Sequence, residues 1–126
     1  MNVLIVALDA VLPAGVSGAE VLVVAPALNS RVRRWLSDED EARRRAEQRA
    51  GMIVDLLARV GVHAEGRVGD GDPLLAIADA LPTFAADEII VSGTPERLRE
   101  LDAFLSRVRD RFALPVRTAD PLAAAA

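Results

Sequence analysis

Short uninterrupted runs of branched apolar residues constrain the fold of this chain more than any other feature of its sequence. The run from Val3 to Leu8 is apolar at every position and ends at Asp9, and the run from Val21 to Ala25 repeats the pattern. A third run lies within Glu88 to Ser92 and is closed by Gly93. A strand that is apolar throughout, rather than at alternate positions, is covered on both faces. These runs therefore predict the inner strands of a parallel sheet.

Two other segments have the pattern of strands at the edges of that sheet. Val62 to Val68 alternates between apolar and polar residues, as a strand with one face in water does. Val116 to Thr118 follows Pro115 and predicts a short second edge. The sheet predicted from these patterns has five strands.

Three helices are predicted, after the second, third and fourth strands, and each has a recognisable beginning. Ser37 precedes four carboxylates and caps the first helix, which ends at Gly61. Asp72-Pro73 and Thr94-Pro95 begin the other two with an N-cap residue followed by proline. The apolar positions predicted to face the sheet are Ala42, Ala46, Ala50, Ile53, Leu57 and Val60 in the first helix, Leu74, Ile77, Ala78 and Leu81 in the second, and Leu98, Leu101, Leu105, Val108 and Phe112 in the third.

The alternation of strands and helices predicts an α/β fold with three layers, in which a five-stranded parallel sheet lies between two layers of helices. The 126 residues have the length of one domain, which we assign to residues 1–120, with 121–126 as a frayed tail. Residues 9–19 contain Pro13, Gly15 and Gly18, so the first crossover helix should be abbreviated. We expect this crossover to leave one face of the sheet short of cover, which a second copy of the chain can supply.

The composition excludes several classes of function. The chain has no cysteine, lysine or tyrosine, which excludes thiolate and Schiff-base chemistry and a Walker lysine. His63, the only histidine, lies in an alternating strand, so we interpret it as a surface residue and predict no enzyme. A net charge of −4 argues against a general nucleic-acid binder. No apolar run has the length of a membrane span, and we expect a cytoplasmic protein.

Candidate binding residues follow the strands, because ligands of an open parallel sheet bind beyond the carboxyl ends of its strands. They are Asp9, the segments Asn29 to Trp35 and Gly69 to Asp72, and Ser92-Gly93-Thr94. A phosphate or nucleotide would bind at Gly93, where the amides that begin the following helix favour an anion. Pro95 removes one of those amides and Glu96 adds a negative charge, and both oppose a phosphate.

Two other kinds of site are open at the same edge. Asp9, Asp70 and Asp72 can hold Mg²⁺ through waters, although each also suits an ordinary role as strand end, turn former or N-cap. The basic segment from Arg31 to Trp35 can bind an anion or nucleic acid through arginine and tryptophan. It also lies just before four carboxylates, so it can equally form a solvated segment that neutralises its own charge.

Four segments resemble the universal stress protein family, in order and over nearly the whole chain. The opening Val3 to Asp9 is similar to that family's first strand, and Gly71-Asp72-Pro73 to its Gly-x-Pro helix start. Ala86 to Thr94 resembles the family's Ala-Asp-x-Ile-Val-x-Gly-Thr segment, and Leu114-Pro115-Val116 resembles the start of its last strand. The chain looks like a divergent branch of that family.

The resemblance implies the strand order 3-2-1-4-5 and, in many members, a homodimer. Some members bind ATP through Gly-x-x-Gly and a more distant Gly-Ser or Gly-Thr after the fourth strand. Here Gly93 keeps the first glycine, but Glu96, Ser106 and Arg107 stand at the remaining positions of the motif. The fold of the family carries over to this chain, and its ATP site does not.

We therefore predict a non-catalytic universal-stress-protein-like domain that acts by self-association or partner binding and holds no cofactor or metal. The alternative is a member that binds a nucleotide such as ATP, or a small anion, at the carboxyl edge of the sheet. The residues expected to bind in that case are Asp9, Arg31, Arg34, Gly69, Ser92, Gly93 and Thr94. The expected partner is a second copy of the chain or an unknown protein, and neither nucleic acid nor a membrane.

Overall fold

Five strands form one parallel sheet in the computed structural model, which describes residues 1–28 and 39–119. In chain order they are β1 (Asn2–Ala7), β2 (Glu20–Pro26), β3 (Ala64–Gly69), β4 (Glu88–Ser92) and β5 (Val116–Ala119). Across the sheet the order is β3-β2-β1-β4-β5, and every neighbouring pair is parallel. The predicted fold class and strand order are confirmed, and the strand order reverses between β1 and β4.

Helices cover both faces of this sheet. They are α1 (Glu39–Arg59), α2 (Pro73–Ala80), α3 (Pro95–Glu100) and α4 (Asp102–Arg111), and a 3₁₀ turn at Leu81–Thr83 follows α2. The connections place α1 on one face, and α2 and α4 on the other. In the part of the chain that the structure describes, every helix is too short or too polar to cross a membrane.

Alternate residues of the inner strands supply two separate cores, one on each face of the sheet. The core under α1 joins Val3, Ile5, Val21, Val23 and Ile90 to Ala46, Ala50, Ile53 and Leu57. The core under α2 and α4 joins Leu4, Val6, Leu22, Val24, Ile89 and Val91 to Ala76, Ile77, Phe104, Leu105 and Val108. Both faces of each inner strand are buried, and this explains why these strands are apolar at every position.

The helix ends differ in detail from the sequence predictions. Gly61 has a φ of 81° and stands just beyond α1, as predicted, but Val60 is 60% exposed and does not face the sheet. The third predicted helix is divided into α3 and α4, because Leu101 leaves helical geometry with φ −108° and ψ 23°. In α2 the fully buried residues are Ala76, Ile77 and Ala80, while Leu74 and Leu81 of the predicted face are half-buried against the same core.

The first crossover is abbreviated, as predicted, but it covers the sheet. Residues 8–19 form turns and bends, and Val16 packs into the core on the α1 side of the sheet. Arg117 of β5 donates a hydrogen bond to the carbonyl of Ala14 (2.6 Å), which holds the crossover over β5. Ile90 and Ala119 are consequently buried. The expectation that this face is short of cover is wrong, because the apolar residues Leu12 and Val16 of an irregular segment pack over it.

Candidate functional site

The carboxyl ends of β1 and β4 lie side by side where the strand order reverses. The backbone amides of Leu8 and Asp9 both donate to the carbonyl of Ser92, at 2.9 and 3.2 Å, so the chain stays attached to β4 beyond the end of β1. The side chain of Asp9 then accepts a hydrogen bond from the amide of Thr94 (Oδ2 to N, 3.1 Å). The predicted candidates Asp9 and Thr94 are thus brought together.

The first turn of α3 completes this contact. Thr94 is the N-cap of α3, and its Oγ1 accepts a hydrogen bond from the amide of Arg97 at 3.3 Å. The side chain of Arg97 lies beside Asp9, with 3.5 Å between Nε and Oδ2. The Asp9 carboxylate therefore has both an amide and a guanidinium as partners, while its side chain remains 26% exposed.

Arg49 of α1 is a second arginine at this edge, and sequence reasoning missed it. Its Nε donates to the carbonyl of Ala7 at 3.2 Å, and its Nη2 donates to the carbonyl of Pro26. The guanidinium thus bridges the carboxyl ends of β1 and β2. The sequence position of Arg49 could have indicated this role, because Arg49 stands three residues after Ala46 and four before Ile53. It therefore lies at the border of the inward face of the helix.

The charges around Arg49 connect it to the Asp9 contact. Burial lowers the pKa of the Arg49 guanidinium from its ordinary value. The negative charge of Asp9 opposes that shift, whereas the positive charges of Arg97 and Arg45 add to it. Asp9 is therefore in contact with the Arg97 guanidinium of α3, and its charge also acts on the Arg49 guanidinium of α1.

Three of the predicted binding residues have structural roles at this edge. Ser92 is fully buried, and its hydroxyl donates a hydrogen bond to the carbonyl of Val11. The amide of Gly93 donates to the carbonyl of Ala119 at 3.1 Å. A Cβ at Gly69 would lie 2.7 Å from the Cβ of Ala76, so this glycine permits close packing of α2 against β3.

The acidic residues after β3 begin α2. Asp72 is the N-cap of α2 and accepts a hydrogen bond from the amide of Leu74 at 3.0 Å. Asp70 in turn accepts one from the amide of Asp72 at 2.9 Å. Among residues 1–28 and 39–119, no three His, Asp or Glu side chains are grouped so that they could hold a metal ion. Asp9, Asp70 and Asp72 are therefore not grouped as a Mg²⁺ site would require.

The remaining candidates lie away from this contact. His63 is exposed and precedes β3, where it lines a shallow groove with Glu20, Glu65 and Phe84. Arg31 and Arg34, with the rest of the basic segment, lie outside the described residues. Comparison of the sequence with models of known protein families gives no match, and a search of curated proteins also gives none.

Proposed function

We propose that this chain is a non-catalytic domain, similar to universal stress proteins, that acts by binding protein and does not bind a nucleotide. The observation that carries this proposal is the contact between Asp9 and the Thr94 amide. The carboxylate is itself an anion, and it occupies an amide at the beginning of α3 that an incoming phosphate would need. A phosphate there would have to displace Asp9 and also overcome its charge.

The other backbone groups of the same turn support the proposal. Pro95 has no amide hydrogen, and the amide of Arg97 donates to Thr94 Oγ1. Glu96 brings a second carboxylate into the first turn of α3. Thr94, Pro95 and Arg97 therefore have no free amide for a ligand, and the carboxylates of Asp9 and Glu96 oppose an anion at the beginning of α3.

Isothermal titration calorimetry with ATP and Mg²⁺ tests the absence of nucleotide binding. We expect no heat of binding at millimolar ATP. Micromolar binding that the substitution Gly93→Asp abolishes would contradict the proposal, because it would locate the nucleotide at the β4–α3 turn.

Native mass spectrometry of the protein as purified is the complementary measurement. We expect a dimer, or a complex with another protein, without the added mass of a nucleotide.

A second candidate function is the binding of a small anion, which the two guanidinium groups near Asp9 favour. The Arg97 side chain is 40% exposed, so its charge is accessible from solvent. On this hypothesis inorganic phosphate binds the wild-type protein, Arg97→Ala abolishes the binding, and Asp9→Asn strengthens it. Arg99→Ala is the matched control, because Arg99 is 75% exposed and pairs with Glu96 of its own helix. Equal affinities in wild type, Arg97→Ala and Arg99→Ala would eliminate this candidate.

A further inference from the structure

We infer that two copies of this chain associate through β3, which pairs antiparallel with its own symmetry mate about Gly66. The inference rests on the proposed function, because it names the protein partner as a second copy and locates the contact. β3 is the outermost strand next to β2, and Glu65, Gly66 and Arg67 in its middle are exposed. The strand carries no proline, so it can accept another strand along its outer side.

The backbone groups that point to the outer side of β3 can be identified. The carbonyl of Gly69 accepts a hydrogen bond from the amide of Ala27 at 3.1 Å, so the polar groups of Gly69 point towards β2. Successive residues of a strand direct their backbone groups to opposite sides. The backbone groups of Ala64, Gly66 and Val68 therefore point outward. These are the residues of β3 that would form hydrogen bonds with an added strand.

The charges on β3 select one register for pairing with a second copy. With the two-fold axis at Gly66, Glu65 of each copy lies opposite Arg67 of the other copy, so the dimer contains two such pairs. With the axis at Glu65 two glutamates would face each other, and with the axis at Arg67 two arginines would. Opposite charges across a strand pair stabilise it, and like charges destabilise it. The register at Gly66 is the one in which every charged position has a complementary partner.

The same register also suits the backbone and the small residues. Gly66 lies opposite Gly66, and Ala64 lies opposite Val68, so both hydrogen-bonded pairs use groups that already point outward. Glu65 and Arg67 occupy non-hydrogen-bonded pairs, in which the two side chains approach most closely. Arg67 is exposed and donates to Thr83 Oγ1 (3.0 Å) on the α2 side of the sheet, where Glu65 of the second copy would arrive.

On the other face, α1 leaves room for its symmetry mate. A groove of about 550 Å³ runs between α1 and β3, lined by Glu47, Gly51, Val54 and Gly66 among others. Because α1 packs on β2 and β3, the two-fold axis places the second α1 about two strand spacings away, roughly 10 Å. That is the usual distance between packed helices. Gly51 has no side chain to hold the second helix apart, and a Cβ there would contact nothing within 4 Å.

Charge reversal on β3 tests the inference. The variants are Glu65→Arg, Arg67→Glu and the double variant with both substitutions, studied by sedimentation velocity over a dilution series. Each single variant should raise the dimer dissociation constant by about tenfold or more, because both symmetry-related pairs become like-charged. The double variant restores two opposite pairs and should return the dissociation constant towards that of the wild type. Thermal unfolding by circular dichroism establishes that each variant is folded.

Two control variants make the same charge changes away from β3. Arg99→Glu matches Arg67→Glu, and Glu100→Arg matches Glu65→Arg; both control residues are exposed on α3. Neither control should change the dissociation constant. A wild-type chain that stays monomeric throughout the dilution series would overturn the inference. So would a dimer that the single variants leave intact, which would place the interface elsewhere, for example at β5.

These outcomes are separable from those of the proposed function. A monomeric chain that binds no ATP would refute pairing through β3 and leave a different protein as the partner. A chain that binds ATP at micromolar concentration would refute the proposed function, whatever its oligomeric state.

Discussion

At the scale of single residues, Gly69 allows α2 to approach the sheet closely. A Cβ there would lie 2.7 Å from Ala76 Cβ and 2.8 Å from Val24 Cγ1, within a packed core. We expect Gly69→Ala to lower the free energy of unfolding by about 1–3 kcal/mol, because helix and strand must separate. Gly51→Ala, studied on the monomer at high dilution, is the control: it lies on an exposed part of α1 with open space, and it should raise the same free energy by about 0.5–1 kcal/mol. Urea denaturation of both variants measures the difference, and equal effects of the same sign would contradict this account.

Ser92 is another residue whose role was predicted differently from the sequence. It was a candidate for ligand binding, but its hydroxyl donates to the carbonyl of Val11 inside the molecule. We expect Ser92→Ala to lower the free energy of unfolding by about 1–3 kcal/mol, because the buried carbonyl of Val11 loses its donor. Ser106→Ala, at an exposed position of α4, should change it little. A Ser92→Ala variant as stable as Ser106→Ala in urea denaturation would show that the hydrogen bond contributes nothing.

At the scale of elements, the caps were the most reliable sequence signals. Asp72 and Thr94 are the N-caps of α2 and α3, as the residue-proline pairs predicted, whereas the third predicted cap, Ser37, lies outside the described residues. These signals are local, because a cap depends on the next three residues and not on the rest of the fold. The inward faces were predicted less well, since the face that a helix buries depends on how the sheet beneath it twists and on nearby small residues such as Gly69.

The cap of α2 gives a prediction about that helix. Asp72→Ala removes the acceptor of the Leu74 amide and should lower the free energy of unfolding by about 1 kcal/mol. Asp79→Ala is the matched control, because Asp79 is exposed in the last turn, where a negative charge is unfavourable. It should leave stability unchanged or slightly raised. Thermal unfolding followed by circular dichroism distinguishes the two, and a larger loss for Asp79→Ala would refute the assignment of Asp72 as cap.

Arg49 joins one element to two others, and this role could not be read from the sequence alone. We expect Arg49→Ala to lower the free energy of unfolding by about 2–3 kcal/mol, because the carbonyls of Ala7 and Pro26 lose a charged donor. Arg45→Ala removes an exposed pair with Glu41 and should cost less than about 1 kcal/mol. Guanidinium denaturation of both variants measures the two costs. Equal costs would mean that Arg49 acts only as a surface charge.

At the scale of the whole molecule, the two cores share the same strands and should unfold together. Ile53 of α1 and Ile77 of α2 are both fully buried, on opposite faces of the sheet. We expect Ile53→Ala and Ile77→Ala each to lower the free energy of unfolding by about 2–5 kcal/mol with an unchanged dependence on urea. A second transition in either variant would show that one layer of helices unfolds without the other.

The fold as a whole was more predictable than the candidate site. The runs at Val3, Val21 and Ile89 identify inner strands because burial on two faces leaves a continuous apolar pattern, and the family resemblance supplied their order. The site depends on side chains from separate elements, so only part of it was predicted. Asp9 and Thr94 follow neighbouring strands and were both predicted to lie at this edge, where they form a hydrogen bond. Arg49 and Arg97 reach the same edge from helices, and their direction depends on packing that a linear pattern does not contain.

The short crossover between β1 and β2 has a consequence for the order in which the chain folds. Val3 pairs with Val21 on one side and with Glu88 on the other, so the first pairing closes a much smaller loop of chain. The entropy lost on closing a loop rises with its length, and contacts between nearby segments form sooner. The turns at residues 8–19 remove the need to form a helix before these strands meet. We therefore expect β1 and β2 to be joined in the transition state for folding, with β4 and β5 added afterwards.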